Sequence, residues 1–155
     1  MKVTKKLAAI GAAMIMAIST FSFTASANEN GGNSVQWLPN SGSAENDDVS
    51  ITGNTTFTTI SGALYGQGTA VATNKTTSTR YTAAQVDIYD IYGVRQDQAY
   101  RFADAGHNGT VSSGAATAPS ANCRYIKATG VVYNSPGTVS GGEYNNEDVT
   151  VYFIQ

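Results

Sequence analysis

The chain has 155 residues, of which 41% are hydrophobic and 13% are charged, and this suits one domain with a sizeable core. Its net charge is −2, and removing the first 27 residues leaves six basic and eleven acidic residues, a net charge of −5. The six remaining basic residues never stand side by side, so nucleic acid is excluded as an expected partner. A single cysteine excludes an intramolecular disulfide.

Residues 1–27 have the three parts of a secretory signal peptide. Three lysines lie within the first six residues, a largely apolar run follows at 7–23, and Ala-Ser-Ala at 25–27 is a typical cleavage site. We therefore expect cleavage after Ala27 and a secreted, extracellular protein without a transmembrane segment. The short, lysine-led leader favours a Gram-positive bacterium as the source.

The remaining residues have a composition typical of strands. They hold two leucines, against six isoleucines, eleven valines, sixteen threonines and all nine tyrosines. Branching at Cβ and aromatic rings favour the pleated surface of a sheet over a helix. The sequence predicts an all-β protein, a single small antiparallel β-sandwich of about seven or eight short strands, Ig-like or jelly-roll-like, with a β-barrel as the alternative.

Residues 28–48 are polar and rich in turn-forming residues, so we predict a flexible N-terminal segment there and a β-sandwich domain over 49–155. Strands are predicted at 49–51 and 55–65. The Gly-Gln-Gly sequence at 66–68 predicts a turn, and a return strand is expected at 69–73.

A hairpin is predicted from Arg80 to Phe102. The first strand, 80–89, places Val86 and Ile88 on one face, with Asp87 and Tyr89 on the other. The next four residues, Asp-Ile-Tyr-Gly at 90–93, fit a type I turn with Asp first and Gly fourth. The chain is then expected to return antiparallel over 94–102.

The C-terminal part predicts three further strands, at 110–118, 123–133 and 149–154, separated by turns. The strand at 123–133 places Ile126, Ala128 and Val132 on one face. Cys123, at its start, is interpreted as a small buried hydrophobic residue, with a free thiol that forms an intermolecular disulfide or acts as a nucleophile as the alternative.

Acidic residues precede the first and last strands of the predicted domain and suggest a possible Ca²⁺ site. They are Asp47 and Asp48 at one end of the sequence and Glu147 and Asp148 at the other. If these strands are neighbours, the oxygen ligands that Ca²⁺ requires could meet at one end of the sandwich. The alternative is that they are solvated loops that discourage aggregation between strand edges. No other cofactor is predicted.

The tyrosines around the predicted hairpin are the candidate ligand-binding residues. Tyr89, Tyr92 and Tyr100 could stack on sugar rings or anchor a partner protein while their hydroxyls stay in water. The alternative is that tyrosines cover an outer sheet face and form cross-strand pairs.

No catalytic residue is predicted. The one histidine, His107, lies in a glycine-rich loop, no serine has the surroundings of a nucleophile elbow, and nothing selects a catalytic pair among the aspartates. The function expected is therefore a non-catalytic binding or structural role, with a cell-wall glycan or a surface protein as partner. The alternatives are a bacteriocin-like antagonistic protein and a small secreted hydrolase.

Overall fold

The computed structural model describes residues 39–137 and 144–154, in which there are eight β-strands and one short 3-10 helix. The predicted leader and residues 28–38 lie outside the described residues. The strands are β1 (Asn40–Glu45), β2 (Val49–Ile60), β3 (Ala63–Asn74), β4 (Arg80–Tyr89), β5 (Arg95–Ala105), β6 (Thr110–Pro119), β7 (Tyr125–Tyr133) and β8 (Tyr144–Tyr152), and the 3-10 helix is Ser120–Asn122. This helix is too short to span a membrane, and no other helix occurs in the described parts of the chain.

The strands form two antiparallel four-stranded sheets that pack face to face. One sheet has the order β1-β2-β3-β6 and the other β5-β4-β7-β8. Strands of one sheet contact strands of the other across the core, and the two sheets do not join into a closed barrel. The predicted β-sandwich of seven or eight strands is confirmed.

Alternation along the central strands builds the core. On β7, Ile126, Ala128 and Val132 are buried, while the residues that alternate with this face are half-buried on the other face. Val86 and Ile88 of β4 and Ile51 of β2 are fully buried against them. The apolar face predicted for residues 123–133 is confirmed, because the side chains of a strand alternate between its two faces.

The first long hairpin turns earlier than predicted. β2 and β3 are joined by Ser61 and Gly62, whose φ angles of 51° and 82° match the two-residue turns that suit a twisted hairpin. The turn predicted at 66–68 is wrong, since these residues lie inside β3. Gly66 faces the other sheet, where an added Cβ would lie 2.5 Å from the Cys123 sulfur. The absence of a side chain at Gly66 therefore allows the two sheets to approach closely.

The β4–β5 hairpin is confirmed. β4 has the predicted bounds, and Tyr89 pairs with Arg95 on the returning strand. In the turn, the Gly93 amide donates to the Asp90 carbonyl at 3.2 Å, as the Asp-first, Gly-fourth pattern predicts.

Residues 40–45, at the end of the predicted N-terminal segment, form the edge strand β1. Its backbone pairs with β2 over six residues, and the Asn40 side chain donates to the Tyr152 carbonyl at 3.0 Å. The sequence Asn-Ser-Gly-Ser-Ala-Glu has no apolar alternation. Pairing with the long β2 therefore defines this strand, which no local pattern indicates.

The strand β8 begins five residues before the predicted one, at Tyr144. Its first residues are polar, and they pair with β7 as far as the Tyr133–Tyr144 pair. Because β8 lies at the edge of its sheet, polar residues are tolerated there. The apolar alternation in the sequence therefore predicts only the C-terminal part of this strand.

Cys123 is buried, as interpreted, with 7% of its surface exposed. Its sulfur donates to the carbonyls of Ala118 and Pro119 at 3.4 and 3.3 Å. Burial raises the pKa of the thiol above its ordinary value, so the group stays protonated at neutral pH.

The close packing at Gly66 makes this position intolerant of a side chain. We expect Gly66→Ala to lower the free energy of unfolding by about 1–3 kcal/mol, because the added methyl overlaps Cys123 and Phe153 in the core. Urea denaturation of the wild type and the variant measures this loss. The control is Gly106→Ala, since a Cβ at Gly106 would have its nearest neighbour at 3.9 Å. Equal stability of the two variants would contradict this account of the inter-sheet contact.

Candidate functional site

The outer face of the β5-β4-β7-β8 sheet carries eight aromatic side chains. The strands β4, β7 and β8 each begin or end with a tyrosine and have a second one eight residues away. An even spacing keeps both tyrosines of a strand on one face. The antiparallel register then aligns them between strands, as in the pairs Tyr125–Tyr152 and Tyr133–Tyr144. The aromatic residues therefore fall into two rows across the sheet.

The long aromatic row crosses all four strands of the sheet. It consists of Tyr100, Phe102, Tyr81, Tyr133 and Tyr144. Neighbouring ring centroids are 5.7, 5.9, 6.1 and 5.9 Å apart in that order, and the rings of Phe102 and Tyr81 are nearly parallel, at 12°. These distances are those of aromatic rings in contact, so the row is one continuous surface.

The ends of the long aromatic row are open to solvent. Tyr100 is 62% exposed and Tyr144 is 59% exposed, while Tyr133 between them is half-buried. Burial, with smaller contributions from Tyr144 and Tyr81, raises the pKa of the Tyr133 hydroxyl. The Tyr133 hydroxyl is therefore uncharged at neutral pH.

The short aromatic row lies at the other end of the same face. It consists of Tyr89, Tyr125 and Tyr152, with centroid distances of 5.1 and 5.8 Å. The Arg124 guanidinium lies 5.8 Å from the Tyr152 ring centroid, within the range of a cation–π contact. The eight residues that separate the rows on β4 span about 27 Å at ~3.4 Å per residue, so one small ligand cannot contact both.

A polar band separates the two rows, and its charges are paired. On β4, the Asp87 carboxylate accepts from Gln85 at 2.6 Å and from Arg95 at 3.3 Å. On β7 and β8, the Lys127 ammonium lies 2.8 Å from the Asp148 carboxylate. These four charges balance, so the band carries no net charge.

The Lys127–Asp148 pair changes the pKa of both groups. Burial acts to raise the pKa of Asp148, but hydrogen bonds from Lys127 and Thr129 and the lysine charge outweigh it, so the pKa lies below its ordinary value. The pKa of Lys127 is raised, mainly by its hydrogen bond to Asp148. Each ion favours the charged form of the other.

A polar cleft of about 380 Å³ is lined by residues of the β1–β2 and β3–β4 connections and by the ends of β4, β7 and β8. Arg80 and Asn145 each precede or follow a row tyrosine in the sequence, so strand alternation points their side chains away from the aromatic face. The Asn145 amide donates to the Asp48 carboxylate, and the Arg80 guanidinium donates to the Asn134 carbonyl. The remaining lining residues are Asp47, Lys75, Thr76, Thr77 and Val132. The cleft thus offers both donors and acceptors, several of which already bond one another.

The structure distributes the three predicted tyrosines over three places. Tyr100 belongs to the long row, Tyr89 belongs to the short row, and Tyr92 lies at the hairpin tip, where it is 83% exposed. Tyr100 pairs with Gln85, four residues along β4 from Tyr89, or about 14 Å. Tyr89 and Tyr100 therefore lie in different rows, and ligand binding by the three tyrosines stays a prediction.

The pattern that reveals the rows is the spacing of eight residues between tyrosines, which occurs four times, at 81/89, 92/100, 125/133 and 144/152. All of these pairs except 92/100 place one tyrosine in each row. Four members of the long row, Phe102, Tyr81, Tyr133 and Tyr144, were not among the predicted ligand-binding residues. The eight-residue spacing could have identified the three tyrosines among them, but aligning them needs the order of the strands.

The four residues of the predicted Ca²⁺ site are not brought together. The two segments that carry these acidic residues do meet, since the Asn46 amide donates to the Asn146 carbonyl at 3.1 Å and Asn145 donates to Asp48. Asp148, however, lies on the outer face with Lys127. Among the described residues no group of three or more His, Cys, Asp and Glu is arranged to hold a metal ion.

Comparison of the chain with protein-family models, with curated proteins and with solved structures found no match. The aromatic rows and the polar cleft are therefore interpreted from their own geometry.

The Lys127–Asp148 pair predicts a pH dependence of stability. Because the pKa of Asp148 is lowered by folding, its contribution is present above the ordinary carboxyl pKa, near 4, and is lost as the pH falls through the folded-state value. We expect Asp148→Asn to lower stability at pH 7 by less than about 1 kcal/mol, since the pair is partly exposed and screened.

Thermal unfolding of the wild type and the variant between pH 7 and pH 3 checks this expectation. Their melting temperatures should converge as the pH falls. The control is Asp47→Asn, because Asp47 is exposed and the structure describes no ion pair for it. A gap that stays constant to pH 3 would contradict the assignment.

Proposed function

We propose that this protein is a secreted, non-catalytic binding protein that holds an uncharged polysaccharide on the long aromatic row. The observation that carries the proposal is the continuous row of five rings with exposed ends, from Tyr100 to Tyr144. The faces of sugar rings present C–H groups that stack on aromatic faces, and tyrosine adds a hydroxyl for hydrogen bonding.

The length of the row suits a chain of sugars. Four strands span three inter-strand distances, about 14 Å in all, so several rings are available side by side. The hydroxyls of the row tyrosines, Tyr100, Tyr81, Tyr133 and Tyr144, can bond sugar hydroxyls along its length.

The charge of the face favours a neutral polymer. Its acidic and basic side chains between the rows are paired with each other, as in Arg95 with Asp87 and Lys127 with Asp148. An anionic polymer would need unpaired cations, and the net charge of −5 that remains without residues 1–27 would repel it. The signal-peptide pattern supports a place outside the cell, where cell-wall and matrix polysaccharides occur.

Retention on insoluble polysaccharides tests the proposal. The protein in secreted form is mixed with cellulose, chitin and purified cell walls, and the bound fraction is measured against concentration. We expect Tyr100→Ala and Tyr144→Ala each to weaken binding about three- to tenfold, which corresponds to the loss of ~0.5–1.5 kcal/mol of aromatic contact. The affinity should change little with salt concentration, because no net charge is neutralised.

The matched control is Tyr92→Ala, which removes an exposed tyrosine outside both rows. Circular dichroism and the melting temperature show whether each variant is folded. Folded Tyr100 and Tyr144 variants that bind as the wild type does would refute the long row as the site. Retention on none of the materials would refute polysaccharide binding, and would favour the purely structural role of cross-strand tyrosine pairs.

A further inference from the structure

The short aromatic row resembles the long one in composition, and the proposed function does not use it. The rings of Tyr89 and Tyr125 are stacked at 5.1 Å and 15°, and the Tyr152 ring lies 5.8 Å from that of Tyr125. Tyr152 ends the row on the edge strand β8 and is 53% exposed, close to the values at the two ends of the long row. The short row is therefore a second contiguous aromatic surface with an exposed end.

A cleft of about 590 Å³ begins at the exposed end of the short row, since Tyr152 itself is one of its lining residues. Arg124 is another, and its guanidinium lies 5.8 Å from the Tyr152 ring centroid. A guanidinium carries five N–H donors that can bond hydroxyl groups. The cleft volume is in the range of small-molecule sites, about 300–1,000 Å³. The end of the short row therefore brings an aromatic ring and hydrogen-bond donors together.

The charges near the short row favour an uncharged ligand. Arg124 opposes a cation, and the Asp90 carboxylate lies in the turn next to Ile91, which lines the same cleft. The net charge of −5 that remains without residues 1–27 opposes an anion. Stacking on C–H groups and hydrogen bonds to hydroxyls need no charge on the ligand. The short row therefore suits the same uncharged polysaccharide as the long row.

The two rows run side by side across the sheet and are well separated. On each of β4, β7 and β8 their tyrosines are eight residues apart, or about 27 Å along the strand. Each row crosses the strands, because its members are register partners on neighbouring strands. A polymer chain that lies along the long row therefore leaves the short row free for a second chain.

We propose that the short aromatic row is a second site for the polysaccharide held by the long row, so that one protein molecule cross-links two polymer chains. This inference rests on the proposed function and adds to it the number of sites and their arrangement. Two sites on one face also raise the affinity for a surface of many chains, because binding at one row places the other at a high effective concentration. The protein then bridges the chains of a polysaccharide matrix.

Titration calorimetry of the protein in secreted form counts the sites. The probes are cellotetraose and chitotetraose, which are too short to contact both rows. We expect two tetrasaccharides to bind each wild-type molecule. In Tyr152→Ala one of the two sites should weaken about three- to tenfold, because an exposed ring is lost from the short row, and the other should keep its affinity. Tyr100→Ala should give the converse result.

Light scattering with soluble hydroxyethyl cellulose and glycol chitin measures cross-linking. Scattering should rise as wild-type protein is added and fall again in excess protein, when each chain is saturated with its own protein molecules. We expect Tyr152→Ala and Tyr100→Ala each to lower the maximum, because each weakens one of the two sites. The matched control is Tyr92→Ala, which removes an exposed tyrosine outside both rows and should scatter as the wild type does.

Melting temperatures show whether the variants are folded. If Tyr152→Ala is not, Arg124→Gln tests the same site, because it removes the guanidinium and keeps every ring. One tetrasaccharide per molecule, weakened by Tyr100→Ala but by neither short-row variant, would overturn the second site and leave the proposed function intact. One tetrasaccharide weakened only by the short-row variants would contradict the long row and the cross-linking alike. Binding of neither tetrasaccharide, with no rise in scattering, would overturn both proposals.

Discussion

The close approach of the two sheets is the constraint on which the other features of this protein depend. Glycines and alanines occupy the inner faces where the sheets come nearest, so β3 can lie directly over Cys123 and Ile126. At Gly66 and Gly68 an added Cβ would meet those residues at 2.5 and 2.7 Å. With no disulfide among the described residues, this packing of small against branched residues supplies the cohesion of the sandwich.

One face of the β5-β4-β7-β8 sheet packs against the other sheet. Because side chains alternate along a strand, every second side chain of this sheet points outward. The tyrosines spaced eight residues apart then line up across the strands, and the two aromatic rows result from register alone. The charged residues between the rows neutralise one another, which leaves a face whose chemistry is aromatic and hydroxyl-bearing. Such a face suits stacking and hydrogen bonding better than charge attraction.

The outer face of the other sheet differs. Its central strands carry hydroxyl groups outward, as in Thr52, Thr56 and Thr69, and threonine gives a solvated face that still favours a strand. The two outer faces and the hairpin tip therefore have separate chemistries on one small scaffold.

The fold class followed from composition and alternation, because β-branched residues with a period of two are compatible with few other structures. Residues 80–102 were assigned correctly since the turn chemistry of Asp90 and Gly93 is local. The edge strand β1 and the start of β8 were missed, because their pairing comes from neighbouring backbones that the local pattern does not reveal. The position of the first turn was also missed, since Gly66 has a packing role that resembles turn chemistry in the sequence.

The sequence by itself determined that this is a β-rich chain with a leader-like N-terminus, alternating core strands and an abundance of tyrosine. Only the tertiary structure decided which tyrosines meet. Strand order and register are properties of long-range pairing, and residues such as Tyr81 and Tyr133 are more than fifty positions apart in the chain but have ring centroids 6.1 Å apart in the sheet. The candidate site is therefore a product of topology, because no segment of the sequence contains enough of it to be recognised alone.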